Sequence, residues 1–428
     1  MSSPTPMLPP IRQSYLQRWR HLRRPARLYL VHAALLTSSL AIIGLLFNLA
    51  VLALGFSIEF LGLLNTVSFA TAAVLSVPLL WLVTRVSLRL ALLISATLQL
   101  ASVLLLTIIP VAPALLVAGG LAGTAAVLFQ VSAPPFMMRQ SNEATRDHLF
   151  SANAAILIGF AGIGSLIAGR LPGLAAQLLG VAAESGLAYR AAFAVAGVGL
   201  VLAILPLLLL SEADDTHSAP RSVHHPFANP VALVPVSWRD LLRNPVPLIK
   251  LLISPALISI GAALLIPYLN LFFKQRFAIT DSQLGLIFAG LGLATALAAL
   301  SGPALSARLG KIRAIVLTQA LALPFLALMG ATPLLGVAVG AALARSALFN
   351  MGTPLYDAFA MERTDEAARP AVIGVINGAY SFGYLFAPLV STQIQATYGF
   401  MPIFVITLSC YSLAVLAKYW LFVRNSAC

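Results

Sequence analysis

Twelve times along this chain, a run of about twenty apolar residues gives way to a short polar stretch. A helix needs about 20 such residues to cross the hydrocarbon core of a bilayer. The runs are Leu28–Leu54, Phe60–Val83, Leu90–Ile109, Ala112–Met138, Leu149–Gly169 and Ala191–Leu210, then Leu251–Phe273, Leu284–Leu305, Ala314–Met329, Leu334–Ala358, Ala371–Gln393 and Met401–Phe422. Only Pro110 and Val111 divide the third from the fourth. Within a bilayer every backbone polar group must be satisfied inside the protein, so runs of this length are read as helices. Barrel strands would give short alternating segments instead. Composition agrees, because 60% of the 428 residues are hydrophobic and 9% are charged, whereas a soluble domain carries about 25% charged residues. The expected fold is all-α and integral to the membrane, with twelve transmembrane helices in contact with the lipid bilayer.

The charges give the chain a sidedness. There are 26 Lys and Arg against 13 Asp and Glu. Nucleic-acid binding would need these cations on one face of a soluble fold; here they sit in clusters between apolar runs, so no nucleic-acid partner is expected. With the N-terminus inside, the cytoplasmic side receives Arg12, Arg18, Arg20, Arg23, Arg24 and Arg27 of the tail. It also receives Arg85, Arg89, Arg139, Arg146, Arg221, Arg239, Arg243, Lys250, Arg308, Lys311, Arg313, Arg363, Arg369, Lys418 and Arg424, giving 21 in all. Arg170, Arg190, Lys274 and Arg276 fall outside, and Arg345 remains within a span. Cytoplasmic loops carry the excess of Lys and Arg, so both termini are expected in the cytoplasm, in a multi-pass protein of the inner (cell) membrane. A miscount of one span would put the two halves' clusters on opposite sides, which supports the even number.

Residues 1–27 are polar and rich in Arg, and the run after them is too long for a signal-peptide core; they read as a cytoplasmic tail. Residues 211–250 carry Asp214, Asp215, three His and six Pro and cannot span a membrane. They read as a solvated linker, with His217, His224 and His225 part of that solvated stretch. It divides a first bundle, 28–210, from a second, 251–423, with a short tail at 424–428. Cys410 and Cys428 have no metal-like spacing, and no metal or cofactor site is expected.

The two bundles echo each other. The loop after the second span reads TRVSLR (Thr84–Arg89), and the loop after the eighth reads ARLGKIR (Ala307–Arg313). The loop after the fourth holds Glu143-Ala-Thr-Arg146, and the loop after the tenth holds Glu366-Ala-Ala-Arg369. Small-residue-rich helices with an early Asn, Asn153 and Asn377, follow these last two loops. Corresponding loops of this kind point to a duplicated six-span unit, and parallel repeats enclose a site near the midplane.

The twelve-span plan, the linker and the loop GPALSARLGKIR (Gly302–Arg313) resemble the major facilitator superfamily over nearly the whole chain. Gly302, Arg308, Gly310, Lys311 and Arg313 match that family's loop signature, whereas Ala307 stands where the family has Asp. In the first half Arg85 and Arg89 match, while Thr84 replaces the Asp and Ser87 the Gly. The resemblance implies two six-helix, pseudo-symmetric bundles that rock about a central cleft. In the family these loops latch the cytoplasmic side through charge pairs. With both Asp replaced, the latch is expected to use Glu143, Asp357 or Glu362 against the basic residues. Gly159, Gly162, Gly164 and Gly169 of the fifth span resemble an element of the family's exporters, with Ser165 in place of its Pro. Small residues also recur wherever membrane helices pack closely.

A charge at the bilayer centre costs about 2.5–3.5 kcal/mol on insertion scales, so each one needs a reason. Arg345 stands about 16 Å into the tenth span, with Asp357 about 18 Å further along the helix and no acid in the middle of any span. It is expected to line the cavity and attract a negatively charged or carbonyl-rich group of a small-molecule substrate; bracing neighbouring helices is the alternative. His32, early in the first span, is the candidate for proton coupling, because imidazole titrates near neutral pH. The resemblance implies that the first, fourth, seventh and tenth spans line the cavity. Gln130, Asn270 and Asn350 therefore join Arg345 as substrate-binding candidates, with Asn48 of the first span and Tyr380 of the eleventh. Helix–helix hydrogen bonds are the competing use for all of them.

The function expected is secondary active transport of a small organic solute by alternating access, as an exporter of amphipathic compounds. Uptake or facilitated passage of an anionic metabolite is one alternative, and a solute sensor that moves nothing is another. No GxxxxGK[ST] element is present to bind ATP. A membrane enzyme would want clustered His or paired carboxylates at the interface, and neither appears. The carrier is expected to act as a monomer.

Overall fold

The computed structural model describes residues 22–210, 246–364 and 369–424, and is helical throughout its spans. The first half contains α1 Arg24–Ala53, α2 Ile58–Val83, α3 Leu88–Ile108, α4 Ala112–Arg139, α5 Glu143–Leu179 and α6 Gly186–Leu208. In the second half, α7 Val246–Leu265 continues through a 3₁₀ turn, Ile266–Tyr268, into α8 Leu269–Phe277. Then come α9 Asp281–Leu309, α10 Lys311–Ala331, and α11 Leu335–Asn350 continued by α12 Gly352–Glu362. Next, α13 Arg369–Phe382 passes through a 3₁₀ turn, Gly383–Leu385, into α14 Ala387–Tyr398, and α15 Met401–Lys418 ends in a π turn, Tyr419–Val423. Eleven of these spans are long and apolar enough to cross a membrane. The remaining one is the interrupted pair α13–α14. The linker expected at 211–250 falls outside the described residues up to position 245.

Helix starts follow local chemistry. Ser57, Ser87 and Ser185 accept hydrogen bonds from backbone N–H groups of the first turns of α2, α3 and α6. Asn142 with Thr145, and Thr280 with Gln283, form reciprocal capping boxes at α5 and α9. Such caps satisfy donors that a helix leaves unpaired at its N-terminus. Ile109–Val111 separates α3 from α4, so the narrowest expected boundary is real. The fifth helix is longer than its apolar run, extending to Leu179 through Pro172. It stops at Gly180, whose φ of 67° is a left-handed conformation that glycine adopts without strain.

The two halves share a core at one end only. One buried cluster unites Leu46, Leu61 and Tyr189 of the first half with Leu269, Phe272, Leu284 and Ala387 of the second. This is the end with the α1–α2 and α5–α6 turns, the joined end. At the other end each half keeps its own core. One surrounds Tyr29, Leu92 and Phe136, and the other Tyr356, Phe359 and Phe422. Toward that splayed end, Val74, Val77 and Trp81 of α2 are exposed, as are Leu297 and Leu300 of α9. The halves thus diverge from the joined end.

Candidate functional site

Four contacts build the joined end, and each uses a small or amide side chain. Asn48 of α1 donates to the Asn270 side chain of α8 at 2.8 Å and to the Pro267 carbonyl at 2.6 Å. Asn270 returns a bond to the Leu45 carbonyl at 2.8 Å. Pro267 lacks an N–H and interrupts the seventh span, and its carbonyl accepts from Asn48 of the other half. Asn65 of α2 donates to the Tyr268 hydroxyl at 3.4 Å, and that hydroxyl donates to the Pro388 carbonyl of α14 at 3.0 Å. Gly62 of α2 lies against Thr392 of α14, and Gly285 of α9 against the Ser165 carbonyl and Gly169 of α5. A side chain at either glycine would collide with the helix from the other half. A charge cluster flanks the α5–α9 contact. Lys274 Nζ lies 2.6 Å from Asp281 and 2.7 Å from Glu184, and the Tyr189 hydroxyl donates to Asp281 at 3.1 Å.

Arg345 lies on α11, buried, at 5% exposure. Its Nε makes no hydrogen bond, and among the described residues it forms no ion pair. The Tyr411 hydroxyl of α15 is within electrostatic reach of it, and Tyr384 lies within reach of Tyr411. The Tyr411 ring stacks on Phe349 at 4.4 Å between centroids, and Gly261 of α7 leaves room for Tyr411. Tyr384 in turn meets Phe69 of α2 at 4.7 Å, across the boundary between halves. A guanidinium thus sits among aromatic rings that reach the boundary. Asn350, one turn further along, is exposed and donates to Ser346 at 3.3 Å, while Ser346 bonds Thr295 of α9 at 2.9 Å.

The other expected residues are dispersed. Gln130 is exposed on α4, in the other half from Arg345. Asn48 and Asn270 are brought together, with each other and backbone carbonyls as partners. Tyr380 is half-buried, and its carbonyl accepts from Ser259 at 2.5 Å. His32 is fully buried between α1 and α6, with Nδ1 donating to the Ala203 carbonyl at 2.8 Å and its ring beside Tyr29 and Phe129. That bond fixes the tautomer and ties two helices of one half.

At the splayed end, Arg85 stacks over Trp81 at 4.3 Å, and Arg89 donates to the Leu207 and Leu208 carbonyls at the end of α6. Gly310, with φ 79° and ψ 151°, turns the chain between α9 and α10, which favours glycine there. Lys311 pairs with Glu362, both from the second half, and a cavity of about 560 Å³ opens beside Gly310, Lys311, Arg313 and Phe359. Arg308 and Arg313 are exposed. Asp357 is half-buried, with Oδ1 lacking a hydrogen-bond partner. The side chain of Glu143 lies outside the described residues.

Two six-span bundles joined at one end and splayed at the other, with a buried cation within the second, have the plan of a membrane carrier. The chain belongs to the Major Facilitator Superfamily, whose model matches residues 28–259 and 251–427. It is therefore a multi-pass membrane transporter of some solute. No curated protein sequence matches it. Among solved structures, a bacterial homologue of the iron transporter ferroportin in an inward-facing state is similar with a TM-score of 0.71 and 14% identity, over 95% of this chain and 99% of that one. A D-xylose–proton symporter gives 0.69 and 16%, over 95% and 98%. A bacterial homologue of the human lysosomal transporter Spinster, inward-facing and occupied, gives 0.65 and 15%, over 93% and 95%. At such identities the likeness is one of fold.

Several residues escaped the sequence reading. Lys418, counted among the cytoplasmic cations although the last apolar run extends past it to Phe422, is fully buried. The apolar run on its far side, Tyr419–Val423, was the available signal. The Lys274–Asp281–Glu184–Tyr189 cluster left only the faint mark of charges at span ends. Tyr411 left none, because an aromatic in a span looks the same whether it faces lipid or a cation.

Proposed function

We propose that this chain is a secondary transporter of a small organic solute bearing a negatively charged or carbonyl-rich group, working by alternating access. The observation that carries the reading is Arg345, a buried guanidinium with an unused Nε donor and no ion pair among the described residues. A buried charge without a counter-charge costs several kcal/mol, and such residues within a membrane mark substrate pathways. A carboxylate, phosphate or carbonyl on the solute supplies the missing acceptor, and Tyr411, Tyr384 and Phe349 supply apolar and polar ring surface around it. The basic loops favour a cytoplasmic splayed end, so this conformer is inward-facing, both termini are cytoplasmic and the membrane is the inner membrane. Asn48 and Asn270 act in the closure of the outer end rather than on the solute.

Uptake or facilitated passage of an anionic metabolite follows most directly. Export of amphipathic compounds rested on the glycines of the fifth span. Gly164 packs against Ser38 and Ala41 of α1, and Gly169 against α9, so close packing accounts for both. The test is counterflow in proteoliposomes with a panel of organic anions, sugars and amphipathic cations, using wild type, Arg345→Lys and Arg345→Ala. An anion is expected to exchange, with at least about a tenfold loss in Arg345→Ala, near 1.4 kcal/mol. Wild-type affinity in a folded Arg345→Ala protein sinks the role given to this residue.

A further inference from the structure

The two halves meet along α2 in a ladder of contacts about one helical turn apart. Gly62 lies against Thr392, and Asn65 meets the Tyr268 hydroxyl that also bonds the Pro388 carbonyl. The third rung is Phe69 against Tyr384, with ring centroids 4.7 Å apart, and it is the rung nearest the splayed end. Both tyrosines stand in 3₁₀ turns, Ile266–Tyr268 and Gly383–Leu385. Non-helical backbone inside a bilayer is tolerated where it is buried in protein or lines a cavity, and interrupted helices build the solute sites of secondary carriers. The turn that carries Tyr384 is fixed from behind. Gly383 is pressed onto α7, where an added carbon would lie 2.5 Å from the Ser259 backbone, and the Ser259 hydroxyl accepts from the Gly383 N–H at 2.8 Å. Backbone contacts thus hold the Tyr384 ring against the other half.

The related contact on the opposite flank lacks these rings. An offset of 223 residues carries Glu143 and Arg146 to Glu366 and Arg369, and it also carries Gly62 to Gly285 and Gly169 to Thr392. Gly62 with Thr392 and Gly285 with Gly169 are therefore one contact, made twice. The same offset takes Phe69 to Gly292 and relates Tyr384 to Ala161. Nothing lies within 4 Å of a carbon added at Gly292, nor of one added at Gly159 or Gly162 of α5. One flank between the halves ends in two rings, and the other opens on glycine and alanine. Joining the halves does not require rings at this level, because the α5–α9 flank is assembled without them. Phe69 and Tyr384 are both half-buried, so part of each ring stays uncovered. Tyr411 lies within electrostatic reach of both Tyr384 and Arg345, which puts the ring pair and the cation on one side of the molecule's centre.

We propose that Phe69 and Tyr384 form an aromatic wall that sets specificity, and that the solute is an organic anion carrying a flat aromatic ring. The solute's ring packs on this wall while its carboxylate or other acceptor meets Arg345. Aromatic pairs gain from ring geometry beyond the area they bury, so an aromatic solute is favoured over its saturated counterpart by about three- to tenfold. One ring of the wall comes from each half, so a solute on it touches both. Such a solute binds differently in conformers that place the halves differently, which is what a ligand needs in order to shift their populations.

This inference rests on the transporter reading of the Arg345 site, and the experiment separates the two. Matched pairs of anions, benzoate with cyclohexanecarboxylate and phenylacetate with cyclohexylacetate, are compared by counterflow in proteoliposomes and by thermal stabilisation of the protein in nanodiscs. In wild type the aromatic member of each pair is expected to bind about three- to tenfold more tightly. Phe69→Leu and Tyr384→Leu are expected to bring that ratio close to one, whereas Phe69→Tyr and Tyr384→Phe keep it. The ratio is the deciding readout, because a substitution that only loosens the halves weakens both members of a pair alike. Equal affinities in wild type overturn the proposal, and so does a full aromatic preference in folded Phe69→Leu and Tyr384→Leu proteins. Binding with the ring preference but without exchange of any solute overturns the transporter reading alone. Exchange of anions with no ring preference overturns the aromatic wall alone.

Discussion

Asn48 and Asn270 hold corresponding places in the two repeats, and each donates to the carbonyl three residues before the other, Pro267 and Leu45. The pair is reciprocal, as expected for a contact on the pseudo-twofold axis between halves. Both side chains are buried, so removing one leaves partners unsatisfied, at about 1–3 kcal/mol. Asn48→Ala and Asn270→Ala should each favour opening of the joined end by about tenfold, near 1.4 kcal/mol. The double variant should be less than additive, because the two share a bond. Spin labels at Ala183→Cys and Tyr398→Cys, in the two halves at that end, measure it, and full additivity would show that the residues act separately. The sequence marks both asparagines as polar residues in apolar spans, open to solute binding or to helix–helix hydrogen bonds. A lone amide in a membrane helix has two uses, and only the neighbouring helix tells them apart. Arg345 was legible because a charge in a span needs a reason wherever it points. His32 was visible too, but its bond to Ala203 depends on how α6 packs, which no local pattern records.

Gly62 and Gly285 show the same duplication one level up. Each is the fifth residue of its helix, α2 or α9, and each meets a helix of the other half, α14 or α5. Hydropathy located the helices well, since a bilayer demands apolar runs of one length. It missed the interruptions at Ile266–Tyr268 and Gly383–Leu385, which depend on tertiary partners. At the second, Ser259 of α7 accepts from the Gly383 N–H at 2.8 Å and donates to the Tyr380 carbonyl, satisfying backbone groups that the break frees. Gly285→Leu should push α5 and α9 apart, overpacking a tight crossing at about 1–3 kcal/mol. The same labels at the joined end should report a wider gap. Gly44→Ala, where nothing lies within 4 Å of the added carbon, should leave the gap unchanged and stabilise α1 by about 0.5–1 kcal/mol. Equal effects from the two substitutions would remove the special role of the α5–α9 crossing.

At the scale of the whole molecule, the halves are held by a shared core at one end, and the charges within that junction are unevenly placed. The α5–α9 side carries Lys274, Asp281, Glu184 and Tyr189, whereas the contact between α2 and α14 named above is made by Gly62 and Thr392. Asp281 is 7% exposed and Glu184 66% exposed, so the two acids bonded to Lys274 are not equivalent. An exposed ion pair contributes little. Removing one member of a buried pair strands the other charge, at about 3–5 kcal/mol. Glu184→Gln should therefore leave the conformational balance nearly as it is. Lys274→Met should strand Asp281 and drive water into the junction, opening the joined end by far more than the loss of either asparagine. Asp281→Asn in the Lys274→Met background should recover most of the closure, because the stranded charge goes while the Tyr189 contact remains available to the amide. Distance distributions at Ala183→Cys and Tyr398→Cys, compared across the three variants, separate a charge that closes the gate from one that merely decorates it. If Glu184→Gln opens the end as far as Lys274→Met, the exposed cross-half pair holds the junction and the buried Asp281 does not.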